Sequence, residues 1–277
     1  MGWHVGSARP RVLSTSAARV HVEAGETVDL TATGKVAVVA QYGGDARISR
    51  SLSVYLRELV ENGYRCLVMS TSPALTELVW PEPLPVGVTV ARRSNSGYDF
   101  GSWAVALETY PQLAGLECVV LTNDSMVGPF TPLAPLLSDL ERTRADVWTL
   151  TDSWQIAQHF QSYFMGFRGG ILAESPLRSF FRGVRMEPTK MDVVRRYELG
   201  LSRACVGEGY SLTARFRSHD LMADAMNPTL AAWQQLLSRG FPFVKRTLVL
   251  DPASGIGAAR IAHVIRSRFD ENIEDWL

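Results

Sequence analysis

Two polar segments of the chain combine amide and acidic side chains, and one of them adds two arginines, so that together they could bind both an anion and a cation. The first is "RRSNSGYDFGSW", residues 92–103, where two arginines precede two glycines and an acid. The second is "VVLTNDSMVGPF", residues 119–130, where an apolar run ends in Asn-Asp-Ser. A basic loop that enters a helix can hold an anion through free amide groups and the helix dipole. An acid opposite that loop can hold a divalent cation between two phosphates, or hydrogen-bond a ribose.

These two segments supply the residues predicted to bind the nucleotide sugar. They are Arg92, Arg93, Asn95, Gly97, Asp99, Asn123 and Asp124, and Asp124 is also the candidate ligand of a Mg²⁺ or Mn²⁺ ion. Structural explanations stay open for both segments. The first is also typical of a loop whose Asn and Asp cap a helix, and Asp124 is also typical of a cap before a helix in "MVGPF".

A third segment, "RRYELGLSRACVGEGYSL", carries a candidate catalytic base. Glu198 lies in an amphipathic pattern, where it could take the proton from an acceptor hydroxyl. A solvent-exposed glutamate paired with Arg195 explains the same pattern. Asp152 is the second catalytic candidate, and Asp220 is a further alternative.

Other side chains could serve the acceptor or the leaving group. Trp154 and His159 are candidates for the acceptor pocket, although a core aromatic residue and a structural histidine are the alternatives. Lys245 and Arg246 end an apolar run, where a basic residue could neutralise a leaving diphosphate. A surface pair with buried stems is equally compatible with that position.

The elements that must position these residues alternate between strands and helices. The pattern predicts strands at 35–43, 64–72, 86–94, 116–125, 146–154, 162–170, 210–216 and 241–250, and helices at 49–63, 101–113, 171–184, 191–209, 227–240 and 257–269. Such alternation indicates an α/β fold with a mainly parallel sheet flanked by helices. Ligands of these sheets bind beyond the carboxyl ends of the strands, where the loops gather.

Composition and length narrow the class of protein. The 277 residues contain no linker after residue 34, which predicts a partly ordered preamble at 1–34, with a short strand near 19–24, and one domain at 35–277. Lys+Arg and Asp+Glu both number 28, so bulk charge does not favour nucleic acid. Cys66, Cys118 and Cys205 are expected to be buried free thiols in a reducing compartment. With no signal peptide or membrane-spanning run, we expect a cytoplasmic protein, and a peripheral contact with the inner face of the membrane or an assembly complex stays open.

The polar blocks occur in an order that resembles the rhamnan synthesis protein F family. The blocks are "SNSGYDFGSW", "VVLTNDSMVGPF", "HFQSYFMGFRGGIL", "YELGLSRACVGEGYSL" and "NPTLAAWQQLLSRGFPFVKRTLV", and the likeness spans roughly residues 35–250. The resemblance implies a glycosyltransferase-like protein of bacterial surface polysaccharide assembly, with a single-domain, nucleotide-diphospho-sugar transferase-like (GT-A-type) fold. A dehydrogenase is disfavoured because "QYGGDARIS" after the first strand lacks the Gly-rich fingerprint.

The same order of blocks is similar, more distantly, to inverting glycosyltransferases with the nucleotide-diphospho-sugar (A-type) fold, and this similarity implies roles for individual residues. Asn95, Gly97 and Asp99 match the nucleotide-side loop, Asp124 matches an acid of an Asp-x-Asp pair, Gly166, Phe167 and Arg168 match the acceptor-side strand, and Glu198 matches the base. Asn-Asp-Ser in place of Asp-x-Asp leaves one carboxylate, so Asp124 could act by hydrogen bonds alone instead of through a metal.

These resemblances thus imply an inverting glycosyltransferase that moves rhamnose from dTDP-rhamnose to a glycan or lipid-linked glycan. The alternative is a non-catalytic, transferase-derived module that binds a nucleotide sugar or glycan in an assembly complex.

Overall fold

A nine-stranded mixed sheet forms the centre of the computed structural model, which describes residues 9–223, 226–251 and 257–277. The strands of this sheet are β1 (His21–Ala24), β2 (Lys35–Gln41), β3 (Arg65–Ser70), β4 (Val88–Arg92), β5 (Cys118–Asn123), β7 (Val147–Ser153), β8 (His159–Phe160), β9 (Phe164–Arg168) and β10 (Leu212–Phe216). Strands β6 (Met126–Val127) and β11 (Val244–Lys245) form a separate pair. The sheet order is β1-β4-β3-β2-β5-β9-β7-β10, with β8 paired to β7. Strands β4, β3, β2 and β5 are mutually parallel, β9 is antiparallel to both β5 and β7, and β10 is parallel to β7.

Helices cover both faces of this sheet. They are α1 (Arg50–Glu61), α2 (Tyr98–Thr109), α3 (Ala134–Arg142), α4 (Ser175–Arg182), α5 (Lys190–Val193), a π-helical turn (Val194–Glu198), α6 (Leu199–Gly207), α7 (Pro228–Ala231), α8 (Trp233–Ser238), α9 (Arg246–Leu250) and α10 (Ala258–Phe269). Short 3₁₀ turns lie at Val12–Ser14, Ser16–Ala18, Pro111–Gly115, Ile171–Ala173, Ser218–Asp220 and Ile273–Trp276. The predicted α/β fold with a mainly parallel sheet is confirmed.

The alternation of side chains along the central strands explains the two covered faces. Leu56 of α1 packs with Val39 of β2 in one apolar cluster, which also takes in α3. Trp103 of α2 packs with Val38, the neighbour of Val39, in the cluster on the other face. Because consecutive strand residues point to opposite faces, a fully apolar strand such as β2 must be covered on both sides.

A separate two-stranded ribbon brings the end of the chain to the centre. Strands β6 and β11 are antiparallel, and Lys245 lies opposite Met126 in their register. Val127 and Val244 of this ribbon share an apolar cluster with Ile261 of α10 and with Trp276. The C-terminal segment is thereby fixed beside the turn that follows β5.

The N-terminal segment from residue 9 is part of the same body. Strand β1 pairs with β4 at the edge of the sheet, within the predicted strand region. Val12, Ala17 and Leu30 are buried in the cluster that contains α2. The described part of the 1–34 preamble therefore contributes to the core.

Two predictions of secondary structure differ from the fold. The apolar stretch 241–250 was predicted to be one strand, but only Val244–Lys245 pairs, and Arg246–Leu250 forms α9. The chain turns into a helix there because β6 offers only two residues to pair with. Helix α3 was not predicted, and α2 begins at Tyr98 instead of Gly101.

Two further features of the fold are the state of the cysteines and the character of the helices. Cys66, Cys118 and Cys205 are free and buried, as predicted. Among the described residues, none of the helices has both the length and the apolar character that crossing a membrane requires.

Candidate functional site

A cleft of about 920 Å³ lies beyond the carboxyl ends of β2, β3, β4 and β5. It is lined by the ends of these strands and the residues that follow them, by residues before and at the start of α5, and by residues of β11 and α9. The lining residues are Ala40, Gln41, Tyr42, Thr71, Asn95, Ser96, Gly97, Tyr98, Asp99, Ser102, Asp124, Ser125, Met186, Glu187, Lys190, Lys245, Arg246, Thr247, Leu250 and Asp251. This is the edge where open α/β sheets bind their ligands. Its size suits a ligand as large as a nucleotide sugar.

Asp99 and Asn123 join the two polar segments at the base of the cleft. The Nδ2 atom of Asn123 donates to Oδ2 of Asp99 at 2.9 Å. The orientation of the amide is fixed because its Oδ1 accepts from the main-chain N–H of Ser125 at 3.1 Å. Burial raises the pKa of Asp99 to about 6, against the lowering effect of Lys190 and of the hydrogen bond from Asn123. Asp99 is thus a recessed carboxyl group that is held in one position.

Asp124 follows β5 and lies beside Asp99. Its Oδ2 accepts the main-chain N–H of Tyr42 at 3.2 Å, which ties the end of β5 to the end of β2. Burial raises the pKa of Asp124 to about 7, although Arg246 lowers it, and the charge of Asp99 raises it further. The residues after Asp124 form strand β6 and no helix, so Asp124 is not the helix cap of the structural alternative.

The loop before α2 forms one wall of the cleft. Asn95 and Gly97 both line it, and Gly97 precedes the first residue of α2 with φ of +80°. A Cβ atom on Gly97 would lie 2.5 Å from the Cγ2 atom of Val12. Both the backbone conformation and the close approach of the N-terminal segment require glycine at this position.

Arg92 and Arg93 are not part of the cleft lining, although Arg93 contacts Ser102, which is. Arg92 pairs with Glu23 of β1 at 2.9 Å and donates to main-chain carbonyls of the 72–76 loop. Arg93 is buried, and its guanidinium donates to the carbonyl of Ala17 at 3.1 Å and to the hydroxyl of Ser102 at 2.9 Å. Both guanidinium groups hold neighbouring loops in place, and a role of these arginines in binding a nucleotide sugar stays a prediction.

Other basic residues line the cleft instead. Lys190 lies at the start of α5, and Lys245 and Arg246 lie at the junction of β11 and α9. Arg246 donates from its main-chain N–H to the carbonyl of Ser125 at 2.9 Å and from Nε to the carbonyl of Asp124 at 3.2 Å. Sequence reasoning considered Lys245 and Arg246 but missed Lys190. The scarcity of lysine could have indicated it, since Lys190 and Lys245 are two of only three lysines in the chain.

Glu198 ends the π-helical turn and has its carboxylate held at both oxygens. Ser162 donates to Oε2 at 3.1 Å, and Nε2 of His159 lies 3.4 Å from Oε1. Only 13 % of the Glu198 side chain is exposed, and no pair with Arg195 forms, so the solvent-exposed alternative is wrong. The negative charge of Glu198 raises the pKa of Asp99, so the two carboxyl groups are near each other. Asp99 lines the cleft, whereas Glu198 does not.

His159 is buried beneath the turn between β7 and β8. Its Nδ1 lies 2.7 Å from the carbonyl of Ala157, and since a carbonyl only accepts, Nδ1 carries a hydrogen. Burial lowers the pKa of His159, but the contacts with Glu198 and Ala157 and the charge of Asp152 outweigh burial, so the net shift is upward. Trp154, in the same turn, is 46 % exposed.

Three predicted residues lie elsewhere. Asp152 is buried and accepts the main-chain N–H of Ser218 at 2.6 Å, so it holds a turn and acts on His159 only through its charge. Arg168 lies opposite Cys118 at the start of β5, whereas the cleft lies at the other end of that strand. Asp220 is half exposed beside His219.

The Gly-Phe-Arg segment of β9 serves packing. A Cβ atom on Gly166 would lie 2.3 Å from Cδ1 of Leu140, and Phe167 is buried in the core. The segment that the family resemblance assigned to the acceptor is thus, in this fold, a buried strand at the centre of the sheet.

The residues of the cleft do not fit a divalent cation. No group of three acidic, histidine or cysteine side chains that could hold a metal occurs in the described ranges. Asn123 presents its amide donor to Asp99, and Asp124 already accepts from Tyr42. Of the four carboxylates that line the cleft, Glu187 is already paired with Arg9 and Arg196, and Asp251 lies at the exposed rim. Asp99 and Asp124 beside three basic side chains are a poor donor set for Mg²⁺ or Mn²⁺, which need several oxygen ligands.

The strand order and the cleft beyond the parallel strands define a nucleotide-diphospho-sugar transferase-like (GT-A-type) fold. Residues 86–275 match the family model described as rhamnan synthesis protein F, and the chain belongs to this family. The resemblance found in the sequence is confirmed. Membership makes the chain a glycosyltransferase-like protein of polysaccharide synthesis.

Two bacterial proteins are similar to this chain in sequence. Virulence protein VirA of Vibrio anguillarum is 30 % identical over 224 residues, which cover 69 % of this chain and 71 % of VirA. Uncharacterized protein y4gN of Sinorhizobium fredii is 22 % identical over 138 residues, which cover 48 % of this chain and 36 % of y4gN.

Proposed function

We propose that the protein is an inverting glycosyltransferase that transfers rhamnose from dTDP-rhamnose to a hydroxyl of a growing glycan or lipid-linked glycan in the cytoplasm. The observation that carries the proposal is the contact of Asn123 with Asp99 at the base of a cleft of about 920 Å³. Two segments separated in sequence thereby build one pocket, and the recessed Glu198 acts through its charge on Asp99 and Lys245 of the lining.

In this mechanism, Glu198 is the base. Its carboxylate takes the proton of the acceptor hydroxyl as the oxygen attacks the anomeric carbon. The bond from that carbon to the diphosphate breaks, and the electron pair leaves with the nucleoside diphosphate. One displacement inverts the anomeric centre. Ser162 and His159 hold the carboxylate in place, and they are positioning residues in this scheme.

Asp99 and Asp124 are proposed to bind the nucleoside part of the donor. Both have raised pKa values, about 6 and about 7, so each can be a hydrogen-bond donor as well as an acceptor near neutral pH. Ribose and base present both kinds of partner. Trp154, exposed on the turn above His159, offers a flat apolar surface for a sugar ring of the acceptor.

A transfer assay with dTDP-rhamnose and an isolated glycan acceptor tests the proposal. Glu198→Gln should reduce kcat by roughly 10²- to 10⁴-fold, the usual contribution of a general base, and leave dTDP affinity unchanged. Glu208→Gln is the matched control, because Glu208 is exposed beyond the end of α6. Full activity of the Glu198 variant removes this residue from the mechanism, and the anomeric configuration of the product, read by NMR, decides between inversion and retention.

The second candidate is a non-catalytic module that binds a nucleotide sugar or glycan in an assembly complex. It is favoured by the engagement of both Glu198 oxygens by Ser162 and His159, which is also what a structural glutamate would show. Tight binding of dTDP without turnover across donors and acceptors supports this candidate over the enzyme.

A further inference from the structure

We propose that the cleft binds the diphosphate of its nucleotide ligand through Lys190, Lys245 and Arg246, without a divalent cation. The inference rests on the proposed function, since it takes a nucleoside diphosphate as the ligand. It departs from the expectation of a Mg²⁺ or Mn²⁺ ion at Asp124, which the residues of the cleft do not fit.

The two lysines are close to each other and to Asp99. Lys190 and Lys245 both lower the pKa of Asp99, and Lys190 also lowers the pKa of Lys245. Neither ammonium group forms a hydrogen bond or ion pair within the described parts of the chain. Two neighbouring positive charges that line one cleft repel each other, and a bound anion relieves that repulsion.

Burial makes Lys245 the central member of the group. Removal from solvent lowers its pKa, while Glu198 and Asp99 act in the opposite direction. A recessed ammonium group without a direct partner carries a desolvation cost in the absence of ligand. A phosphate oxygen can supply the missing charge-assisted hydrogen bond.

Arg246 adds a third cation to the lining of the cleft. Its Nε donates to the carbonyl of Asp124, and one Nη donates to the hydroxyl of Ser49 at 3.2 Å, so the guanidinium is fixed in position. The start of α2 faces the same cleft, and no side chain caps its amide groups. Cations and free amide groups therefore surround the space in front of Asp99.

The acidic residues of the cleft do not cancel this positive charge. Glu187 is buried and already paired with Arg9 and Arg196. Asp251 lies at the exposed rim. Asp124, whose pKa is raised to about 7, carries only part of a full charge near neutral pH.

The positions of the three lysines in the chain also support a diphosphate site in the cleft. Of 28 lysine and arginine residues, only Lys35, Lys190 and Lys245 are lysine, and two of these three line the cleft. Lysine is a compact charge with rotating donors, which suits the oxygens of a diphosphate. Lys35 lies elsewhere and pairs with Glu141 at 2.9 Å, so it is a natural control.

Calorimetry with dTDP tests the inference. The affinity should be the same, to within about twofold, in EDTA and in Mn²⁺. Lys245→Met should weaken dTDP binding by roughly 10- to 100-fold, the size of a charged hydrogen bond, and leave thymidine binding unchanged. Lys35→Met should bind dTDP as the wild type does. Lys190→Met provides a second variant at an exposed position, in case Lys245→Met does not fold.

Chemical labelling gives an independent readout in the wild-type protein. In EDTA, dTDP should protect Lys190 and Lys245 from acetylation, as read by mass spectrometry, and should not protect Lys35. Binding of dTDP only with Mn²⁺ or Mg²⁺, or labelling unaffected by dTDP, overturns the inference and leaves the proposed function standing. A protein that binds no nucleoside diphosphate under any of these conditions overturns both.

Discussion

Replacing Asp124 by Asn should stabilise the protein at neutral to alkaline pH. Burial raises the pKa of Asp124 from 3.8 in an unfolded chain to about 7 in the fold. The folded wild type therefore holds a proton that the unfolded chain releases, and it loses that stabilisation as pH rises from about 4 through about 7. Asn does not titrate, and its carbonyl oxygen can still accept the N–H of Tyr42.

The size of the expected stabilisation follows from the pKa shift of Asp124. Roughly three pKa units at 1.36 kcal/mol each set a ceiling of about 4 kcal/mol. Asp124 is partly exposed and shares its surroundings with Asp99, so we expect about half of that ceiling, about 2 kcal/mol, at pH near 8. For a chain of this size this corresponds to a Tm rise of about 4–6 °C.

The assay is thermal unfolding of wild type and Asp124→Asn between about pH 5 and pH 8. The variant should gain stability relative to wild type steadily across this range. Asp146→Asn is the opposite case, because hydrogen bonds from Ser211 lower the pKa of Asp146. That variant should be less stable than wild type by a nearly constant amount across this range, because the pKa of Asp146 in the fold lies below 3.8. A constant offset for Asp124→Asn at all pH values, or a loss at pH 8, refutes the burial argument.

Three further predictions concern the core, the loop and the base. Trp103→Phe removes a fully buried indole whose Nε1 donates to the carbonyl of Thr122 at 3.1 Å, so the free energy of unfolding, measured in urea, should fall by about 2–3 kcal/mol. Gly97→Ala places a side chain where φ is +80° and the space is filled; we expect a loss of about 1–3 kcal/mol in urea and weaker dTDP binding by calorimetry, and unchanged values would contradict the close approach. The pKa of His159, followed by NMR, should lie above 6.5 in wild type and fall in Glu198→Gln, since the carboxylate contact raises it.

The first half of the fold was predictable because its signals are local. Strand β2 is an apolar run of β-branched residues, and α1 begins after Ser49, whose hydroxyl accepts the N–H of Leu52. Strands followed by helices at such spacing lead to a parallel sheet, whose loops gather at one edge. The meeting of Asp99 and Asn123 follows from that topology.

The basic side of the site was harder to predict for two reasons. The charge of Arg92 and Arg93 was visible, but their directions depend on contacts with the N-terminal segment, which a local pattern does not contain. Lys245 reaches the cleft through a two-residue pairing with β6, about 120 positions earlier in the chain. A pairing so short and so distant leaves no periodicity to detect.

The ribbon of β6 and β11 also links ligand binding to completion of the fold. Asp99 and Asp124 are positioned by the central part of the fold, whereas Lys245 and Arg246 reach the cleft through the pairing of β11 with β6. A nucleotide that contacts both sets of residues selects molecules whose carboxyl-terminal segment is seated, and so raises the stability of that segment by mass action. The affinity for such a nucleotide then depends on the free energy with which the carboxyl-terminal segment packs against the rest of the fold.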